Sequence, residues 1–156
     1  MLGRSDSMNL VTSCHQVEST VLNVPIGKAW DALKTFKFNE LYPSIVKSVK
    51  FNSGSPNEIG SEFSVEYADG STWTFRISEI SEHRRLITYE LVTAEPEISF
   101  SSLQNTITLF KVTSDNSTFV QWESDYSNDV NAHVIQDAKF KKLDAFKDLK
   151  AVFANK

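Results

Sequence analysis

The sequence predicts an α+β protein in which an antiparallel sheet packs against one long C-terminal helix. The helix is indicated by residues 130–153, which contain neither Gly nor Pro and repeat apolar residues with a helical period. At about 100° per residue, one apolar stripe collects Ile135, Ala138, Ala145, Phe146, Leu149, Val152 and Phe153. The sheet is indicated by residues 62–127, where apolar and polar residues alternate in separate runs. Because almost everything before the helix reads as β-strand, the apolar stripe has a sheet to pack against.

The other elements follow from recognisable starts and stops. A first strand, His15–Val24, ends at Pro25, a residue that suits the first turn of a helix. Helical spacing then runs from Ile26 to Phe36. The remaining elements are a short helical turn at Asn39–Tyr42, a strand at Ile45–Phe51, a loop at Asn52–Ser61, strands through Phe63–Tyr67, Thr72–Ile77 and Ile87–Leu91, a loop at Ala94–Ser101, and strands at Leu103–Thr113 and Thr118–Ser127. The long helix has three candidate N-caps, Asn128, Asp129 and Asn131.

The turn between the third and fourth strands decides which side chains share a face of the sheet. Two alternating rows flank the pair Asp69-Gly70. A two-residue turn at that pair would place the two apolar rows on opposite faces. We therefore predict a three-residue loop, Asp69–Ser71. The register then pairs Tyr67 with Trp73, Val65 with Phe75, and Phe63 with Ile77.

Composition and charge narrow the class of protein. Of 156 residues, 40% are hydrophobic and 23% charged, as in soluble globular domains. We expect one ligand-binding domain over residues 14–156 after a flexible tail, residues 1–13, within which Met8 is a candidate natural start. The net charge of −4 leaves no footprint for nucleic acid, and no apolar run approaches the ~20 residues of a membrane span. The lone Cys14 is compatible with a reducing compartment, so we expect a cytoplasmic protein, monomeric or weakly homodimeric, without stable membrane insertion.

Several short stretches resemble a known superfamily. They are Val24-Pro25-Ile26-Gly27-Lys28-Ala29-Trp30, Tyr42-Pro43-Ser44-Ile45, Gly60-Ser61, Arg85-Leu86-Ile87-Thr88-Tyr89 and Thr118-Phe119-Val120-Gln121-Trp122. In this order they are similar to the START-like superfamily (SRPBCC), which includes the birch-pollen allergens, lipid-transport proteins and polyketide cyclase/dehydrase-like proteins. The resemblance implies the helix-grip fold: seven antiparallel strands curve around the C-terminal helix, two short helices follow the first strand, and a cavity lies between sheet and helix. The glycine-rich loop of the plant allergens is reduced here to Gly54 and Gly60, so phosphate binding is not carried over.

The predicted register divides the sheet into an aromatic inner face and an acidic outer face. The inner row contains Phe63, Val65, Tyr67, Trp73, Phe75, Ile77, Tyr89, Leu91, Trp122 and Tyr126, with Ser124 added. The outer row contains Glu66, Arg76, Glu90, Glu123 and Asp125. General acid–base catalysis needs a titratable group beside the substrate, and no sheet residue of that kind faces inward, which disfavours an enzyme. The predicted ligand-binding residues are Phe63, Tyr67, Trp73, Phe75, Tyr89, Leu91, Trp122, Tyr126, Ile135 and Lys142.

Lys142 is the residue that does not fit a simple core. On the helical wheel it lies near the centre of the apolar stripe. One interpretation is that its ammonium points into the cavity and pairs with an anionic group of the ligand. The more conservative interpretation is that its stem packs on the sheet while the ammonium reaches water at the cavity mouth.

Other candidate catalytic groups have plain structural explanations. Arg76 with Glu66 or Glu90 reads as a solvated ion pair between strands on the outer face. The three histidines, His15, His83 and His133, lie at a strand start, in a turn and outside the apolar stripe, without metal-ligand spacing. We therefore assign no catalytic residue, metal site or cofactor.

Three functions remain open from the sequence. The favoured one is intracellular binding or transport of a hydrophobic small molecule, such as a lipid, sterol or polyketide-like compound, in the cavity. The alternative is a cyclase-, dehydrase- or isomerase-type enzyme using the same cavity, with Lys142 as its one candidate catalytic group. A protein-interaction domain with a filled core is the third, and the cavity volume decides it.

Overall fold

We describe residues 14–154 from a computed structural model. The predicted tail, residues 1–13, and the candidate start Met8 lie outside the described residues. The elements in chain order are β1 (His15–Leu22), α1 (Ile26–Leu33), α2 (Phe38–Leu41), β2 (Val46–Ser53), β3 (Glu62–Tyr67), β4 (Thr72–Ser81), β5 (Leu86–Glu95), β6 (Leu103–Val112), β7 (Ser117–Tyr126) and α3 (Ala132–Ala154). This order of elements is the one that the sequence predicts.

The strands form one seven-stranded antiparallel sheet in the order β1-β7-β6-β5-β4-β3-β2. Strands β2 to β7 each pair with their neighbour in the chain. Strand β1 instead pairs along its whole length with β7, from His15 opposite Asp125 to Leu22 opposite Thr118. The curved sheet holding a long C-terminal helix is the predicted helix-grip architecture, which is confirmed.

The long helix begins at a polar cap. Asn131 Oδ1 accepts a hydrogen bond of 2.9 Å from the backbone N–H of Val134, which would otherwise lack an intrahelical partner. Of the three candidate caps, Asn131 is therefore the one used. The helix starts at Ala132, two residues later than the apolar pattern predicts.

The first helix is shorter than predicted. It ends at Leu33, and Phe36 takes a left-handed backbone conformation with φ of 58° while its ring is completely buried. The helical spacing continues to Phe36 because the chain turns back and delivers that ring to the same core. Burial of the ring offsets the cost of a backbone conformation that non-glycine residues adopt rarely.

The β3–β4 loop has the predicted length but is displaced by one residue. It comprises Ala68–Gly70, closed by a 2.8 Å hydrogen bond from Tyr67 N–H to Ser71 O. Gly70 has φ of +92°, and a three-residue hairpin loop needs a left-handed residue at its last position. The predicted loop Asp69–Ser71 is wrong because it would put Ser71 at that position.

The displaced loop shifts the pairing of β3 with β4 by two residues. Val65 lies opposite Trp73 and Phe63 opposite Phe75, so the predicted pairs are wrong. A shift of two residues preserves which face each side chain occupies, because side chains alternate with a period of two. The division into an aromatic inner row and a charged outer row is therefore unaffected.

Arg76 shows the same shift on the outer face. Its guanidinium pairs with Glu62 at 2.9 Å and with Glu90 at 3.4 Å, and its side chain is 43% exposed. Glu66, a predicted partner, contacts Lys47 instead. The Arg76 cluster is therefore a solvated cross-strand ion pair, remote from the interior of the sheet.

The space between the sheet and α3 is filled at one end only. There α1, α2 and the C-terminal half of α3 meet strands β6 and β7 around buried side chains that include Trp30, Leu33, Leu109, Phe146 and Phe153. Ser44, just after α2, donates from its backbone N–H and its hydroxyl to Asp148 of α3, at 2.8 and 2.5 Å. Beneath the N-terminal half of α3, a hollow remains.

Candidate functional site

The hollow is a cavity of about 380 Å³, within the size range of small-molecule sites. Its floor is the inner face of the sheet, its roof is the first part of α3, and its sides are α2 and the loop 96–102. Aromatic and aliphatic groups make up most of the lining. The full set is Phe38, Tyr42, Ile45, Val46, Val65, Tyr67, Trp73, Phe75, Tyr89, Glu97, Ile98, Ser99, Phe100, Leu103, Asn105, Trp122, Ser124, Tyr126, His133, Val134, Asp137, Ala138, Lys141 and Lys142.

The structure brings most of the predicted site residues together around this cavity. Those that line it are Tyr67, Trp73, Phe75, Tyr89, Trp122, Tyr126 and Lys142. Ligand contact by these residues stays a prediction. The other three predicted residues, Phe63, Leu91 and Ile135, do not line the cavity.

Each of the three packs against the core instead. Phe63 is fully buried, with its ring centre 5.3 Å from those of Phe36 and Phe51. Leu91 lies opposite Phe75, whose ring lines the cavity. Ile135 is half-buried against the core on a flank of α3 that turns away from the hollow.

The first turns of α3 present an unexpected flank to the cavity. The lining residues of α3 form two rows at four-residue spacing: His133, Asp137 and Lys141 in one, Val134, Ala138 and Lys142 in the other. The wheel places His133, Asp137 and Lys141 on the polar side of the helix, and the structure leaves His133 and Asp137 exposed and Lys141 partly buried. These residues nevertheless border the cavity, because the first half of the helix lies beside open space and tolerates polar groups along one edge.

Asn105 is a polar residue of the cavity that the sequence analysis missed. Its side-chain Oδ1 accepts hydrogen bonds from Ser124 Oγ at 2.6 Å and from Trp122 Nε1 at 3.3 Å. Two donors converging on that oxygen leave the amide nitrogen, Nδ2, as the outward donor. No hydrogen bond among residues 14–154 uses Nδ2, so it is available to a ligand. The alternation in β6 indicates this residue, because Asn105 falls on the same buried face of the strand as Leu103 and Ile107.

The tyrosine hydroxyls of the cavity act as neutral hydrogen-bonding groups. Burial raises the pKa of Tyr42, Tyr67 and Tyr89 well above the ordinary value, and Tyr42 and Tyr89 are hydrogen bonded to each other. Burial also raises the pKa of Tyr126 to about 12, against the smaller opposing effect of a hydrogen bond with Ser124. These phenols therefore stay protonated near neutral pH and can orient a ligand without ionising.

Lys142 is the buried cation of the site. The residue is 3% exposed, and its Nζ donates a 2.5 Å hydrogen bond to Gln16 Oε1 on β1. Nζ also lies 5.5 Å from the ring centre of Trp122. Burial lowers the pKa of Lys142 to about 7, although the carboxylate of Glu18 acts in the opposite direction. The amine does not reach water at the cavity mouth, so the conservative interpretation of Lys142 is wrong.

The β3–β4 turn is tied to α3 by Lys141. Its Nζ lies 3.4 Å from Asp69 Oδ2 in the turn and 3.1 Å from Asp137 Oδ2 one helical turn earlier. It also lies 5.2 Å from the ring centre of Tyr67. The pKa of Asp69 is lowered, chiefly by hydrogen bonds from Ser71 and less by Lys141, so its carboxylate is charged near neutral pH.

The loop 96–102 is held against the cavity by an aromatic anchor and a polar clip. Phe100 is buried, with its ring centre 5.3 Å from that of Tyr126 and 6.2 Å from that of Trp73. The clip is Asp129, which accepts hydrogen bonds from Ser101 and from the hydroxyl of Ser127. Because these bonds favour the carboxylate, the pKa of Asp129 falls to about 2. The cavity wall is therefore held in place at the C-terminal end of this loop.

Two further observations concern the described part of the chain. Within residues 14–154, no group of three or more His, Cys, Asp and Glu side chains is placed to hold a metal ion. The described helices include none that is both long and apolar enough to cross a membrane.

Solved structures with this fold share little sequence with the chain. A protein from Nitrosospira multiformis has a TM-score of 0.79 at 21% identity, covering 89% of this chain and 95% of that one. The major latex-like protein 151 of Panax ginseng has a TM-score of 0.74 at 16% identity, with coverage of 89% and 96%. Ara h 8.0201 has a TM-score of 0.74 at 18% identity, with coverage of 91% and 98%. No protein-family model matches the sequence, and no curated protein matches it.

Likeness at this level of identity establishes the fold. The latex-like protein and Ara h 8.0201 align with about nine-tenths of the chain. The resemblance predicted from the short sequence stretches is therefore confirmed as a matter of architecture. The chain has the helix-grip fold that these solved structures share.

Proposed function

We propose that this protein is an intracellular carrier or sensor that binds a mainly apolar small molecule in the cavity between the sheet and α3. The observation that carries the proposal is the hollow itself: about 380 Å³ of space inside an otherwise packed fold, walled largely by aromatic rings. A protein-interaction domain has no need of such a void, and a void in a core normally costs stability. Occupation by an apolar ligand offsets that cost.

The apolar part of the ligand lies among the rings of the sheet. Trp73 and Tyr67 form one wall, with ring centres 5.8 Å apart, and Tyr42 and Trp122 form another at 5.5 Å. Each Å² of apolar ligand surface removed from water contributes about 25 cal/mol. Affinity therefore rises with the length of the apolar chain until the cavity is full.

The polar end of the ligand lies beside Trp122. Asn105 Nδ2 is a donor without a partner among the described residues, and Lys142 Nζ lies over the face of the same indole. Both groups favour an oxygen atom of the ligand. A molecule with one oxygen-bearing end and an apolar body fits this arrangement better than a pure hydrocarbon does.

The test is a binding screen on the full chain. We expect dodecanol, dodecanoic acid or a sterol to raise the melting temperature and to change tryptophan fluorescence. The fluorescence change is expected to disappear in a double variant, Trp73→Phe with Trp122→Phe, whose remaining Trp30 is hydrogen bonded to Glu82 outside the cavity. Mass spectrometry of compounds that co-purify with the protein then identifies the natural ligand class.

A cavity-filling variant supplies the control. Ala138 lines the cavity, so Ala138→Phe is expected to lower ligand affinity by about tenfold or more, or 1.4 kcal/mol, by occupying the site. The matched variant Ala151→Phe adds the same ring at an exposed position of the same helix and should bind normally. Equal affinity in the two variants, or no response to any lipophile, would remove the basis for a carrier.

A further inference from the structure

The proposed function puts the polar end of the ligand beside Lys142 and leaves open whether the amine reacts with it. We propose that Lys142 captures a lipophilic aldehyde as a reversible imine between its Nζ and the carbonyl carbon of the ligand. This inference rests on the cavity being a ligand site, and it assigns to that site a substrate class and a covalent step.

The position of the amine is the first support. Lys142 lines the cavity, yet the residue is 3% exposed, so its Nζ meets the interior rather than bulk water. One N–H is committed to Gln16 Oε1 at 2.5 Å, and Gln16 Nε2 in turn donates to Glu18 Oε2 at 2.8 Å. This relay fixes the amine against β1 while the cavity side of the nitrogen stays open to a ligand.

The surroundings of the amine favour its nucleophilic form. Glu18, on β1, is the charged group that acts on it across the packed face, and Trp122 of β7 contributes a ring. Lys141, Asp137 and His133 line the cavity from the neighbouring row of α3. Burial lowers the pKa of Lys142 to about 7, whereas an exposed lysine titrates near ~10.4. A substantial fraction of Lys142 therefore carries a free lone pair at neutral pH.

Asn105 adds a second polar group beside the same indole. Its Nδ2 has no hydrogen-bond partner among residues 14–154, and a carbonyl oxygen that accepts its hydrogen bond is polarised toward attack. Asn105 Oδ1 accepts from the indole N–H of Trp122, and Lys142 Nζ lies 5.5 Å from the centre of that ring. In the proposed complex the carbonyl oxygen lies toward Asn105 and the carbonyl carbon toward Lys142.

The step balances without a further reagent. The nitrogen lone pair attacks the carbonyl carbon, and the resulting carbinolamine loses water. The oxygen leaves with the two hydrogens of the amine, and a C=N bond replaces C=O. Hydrolysis reverses the step, so the carrier releases the same aldehyde that it binds.

The experiment uses the full chain, dodecanal in less than equimolar amount, and sodium cyanoborohydride at neutral pH. Reduction converts the imine into a stable secondary amine, which adds the mass of the aldehyde less one oxygen atom. We expect a single adduct that peptide mapping places on Lys142, formed at least about tenfold faster than at any other lysine because exposed lysines are protonated. Dodecanol, which fills the cavity but cannot react, should protect Lys142 in the unaltered protein.

Two variants keep the result interpretable. Lys142→Met should lose the adduct, while Lys139→Met, which removes an exposed amine from the same helix, should keep it. Labelling spread evenly over surface lysines, or labelling that dodecanol does not slow, overturns the imine. So does a result in which Lys142→Met weakens dodecanoate binding and no adduct forms, because Lys142 is then a partner for a carboxylate.

The outcome for dodecanol separates the two proposals. Dodecanol that binds without any aldehyde adduct forming leaves the carrier function standing and removes only the covalent step. Dodecanol that fails to bind, together with dodecanoic acid and the sterol, removes both.

Discussion

The two halves of α3 meet the same sheet in different ways. In the C-terminal half, Ala145, Phe146, Leu149 and Phe153 are between 0% and 8% exposed and pack into a filled core. In the N-terminal half, Val134 and Ala138 are half-buried and border open space. A single continuous helix therefore supports a packed region at one end and a cavity at the other.

The difference comes from what lies opposite each half. The C-terminal half faces α1 and α2, whose side chains occupy the concave side of the sheet there. The N-terminal half lies over the sheet with α2 and the loop 96–102 only at its sides, and this arrangement leaves volume unfilled. We therefore expect the packed region to contribute most of the stability, and the proposed ligand site lies in the hollow region.

The largest expected effect separates the two halves by stability. Phe146→Ala removes a buried ring from the packed region and should lower the free energy of unfolding by about 3–5 kcal/mol. Val134→Ala, on the same helix, removes two methyl groups that border the cavity and should cost about 1 kcal/mol or less. Urea denaturation followed by far-UV circular dichroism measures both.

Ligand affinity is expected to show the opposite pattern, because the variant that costs more stability should affect binding less. A Phe146→Ala protein that still folds should bind dodecanol nearly normally, whereas Val134→Ala alters the cavity wall and should change its affinity. If both variants lost equal stability, the hollow end of the helix would have to be packed after all.

The second largest expected effect is a pH dependence of the unfolding free energy that arises from Lys142. Its pKa is lowered to about 7 in the folded chain and is about 10.4 when unfolded, so the unfolded chain binds more protons between these values. The resulting destabilisation is fully present below pH 7 and is relieved as pH rises toward the unfolded value. We expect the unfolding free energy of the protein, relative to that of Lys142→Met, to rise by about 2–3 kcal/mol between pH 6 and pH 9.

Lys139→Met again serves as the matched control, because it removes a lysine that the folded chain leaves exposed. Its stability should follow that of the unaltered protein across the same pH range. A difference between the protein and Lys142→Met that does not vary with pH would show that Lys142 keeps its ordinary protonation behaviour in the fold.

Much of this architecture is readable from the residues because alternation and helical period are local. The row ending in Tyr67 and the row beginning at Trp73 had to share a face, and this requirement alone predicted a three-residue loop. The exact register was missed because it depends on which residue adopts a left-handed backbone, and that residue is Gly70. Each side chain still lies on the predicted face of the sheet, because the register differs from the predicted one by two residues.

The site was harder to predict because it depends on where packing stops. An ideal wheel averages over α3 and cannot show that polar residues on one edge of its first half, such as His133 and Lys141, also border a cavity. Asn105 was detectable from β6 alone, since a polar residue between Leu103 and Ile107 occupies a buried position. The role of Lys142 required the contact with Gln16, which is remote in sequence.

The smallest expected effect lies at the edge of the hollow half. Lys141 joins α3 to the β3–β4 turn through Asp69, and both side chains are partly exposed. Lys141→Gln should therefore change the unfolding free energy by less than about 1 kcal/mol. Because the ion pair spans the turn and the helix beside the cavity, its loss should speed ligand release several-fold, as measured by stopped-flow fluorescence with dodecanol.

A second lysine on the same helix distinguishes the effect of losing the Lys141–Asp69 ion pair from the effect of losing a positive charge. Among residues 14–154, Lys147 forms its ion pair with Asp144, at 3.9 Å and within α3, so Lys147→Gln removes the same charge without freeing the turn. Its ligand release rate should match that of the unaltered protein. Added salt should narrow the gap between Lys141→Gln and the protein, since an exposed ion pair is screened. Equal release rates for the two variants at low salt would mean that the turn does not control access, and that ligands pass elsewhere along the hollow half of α3.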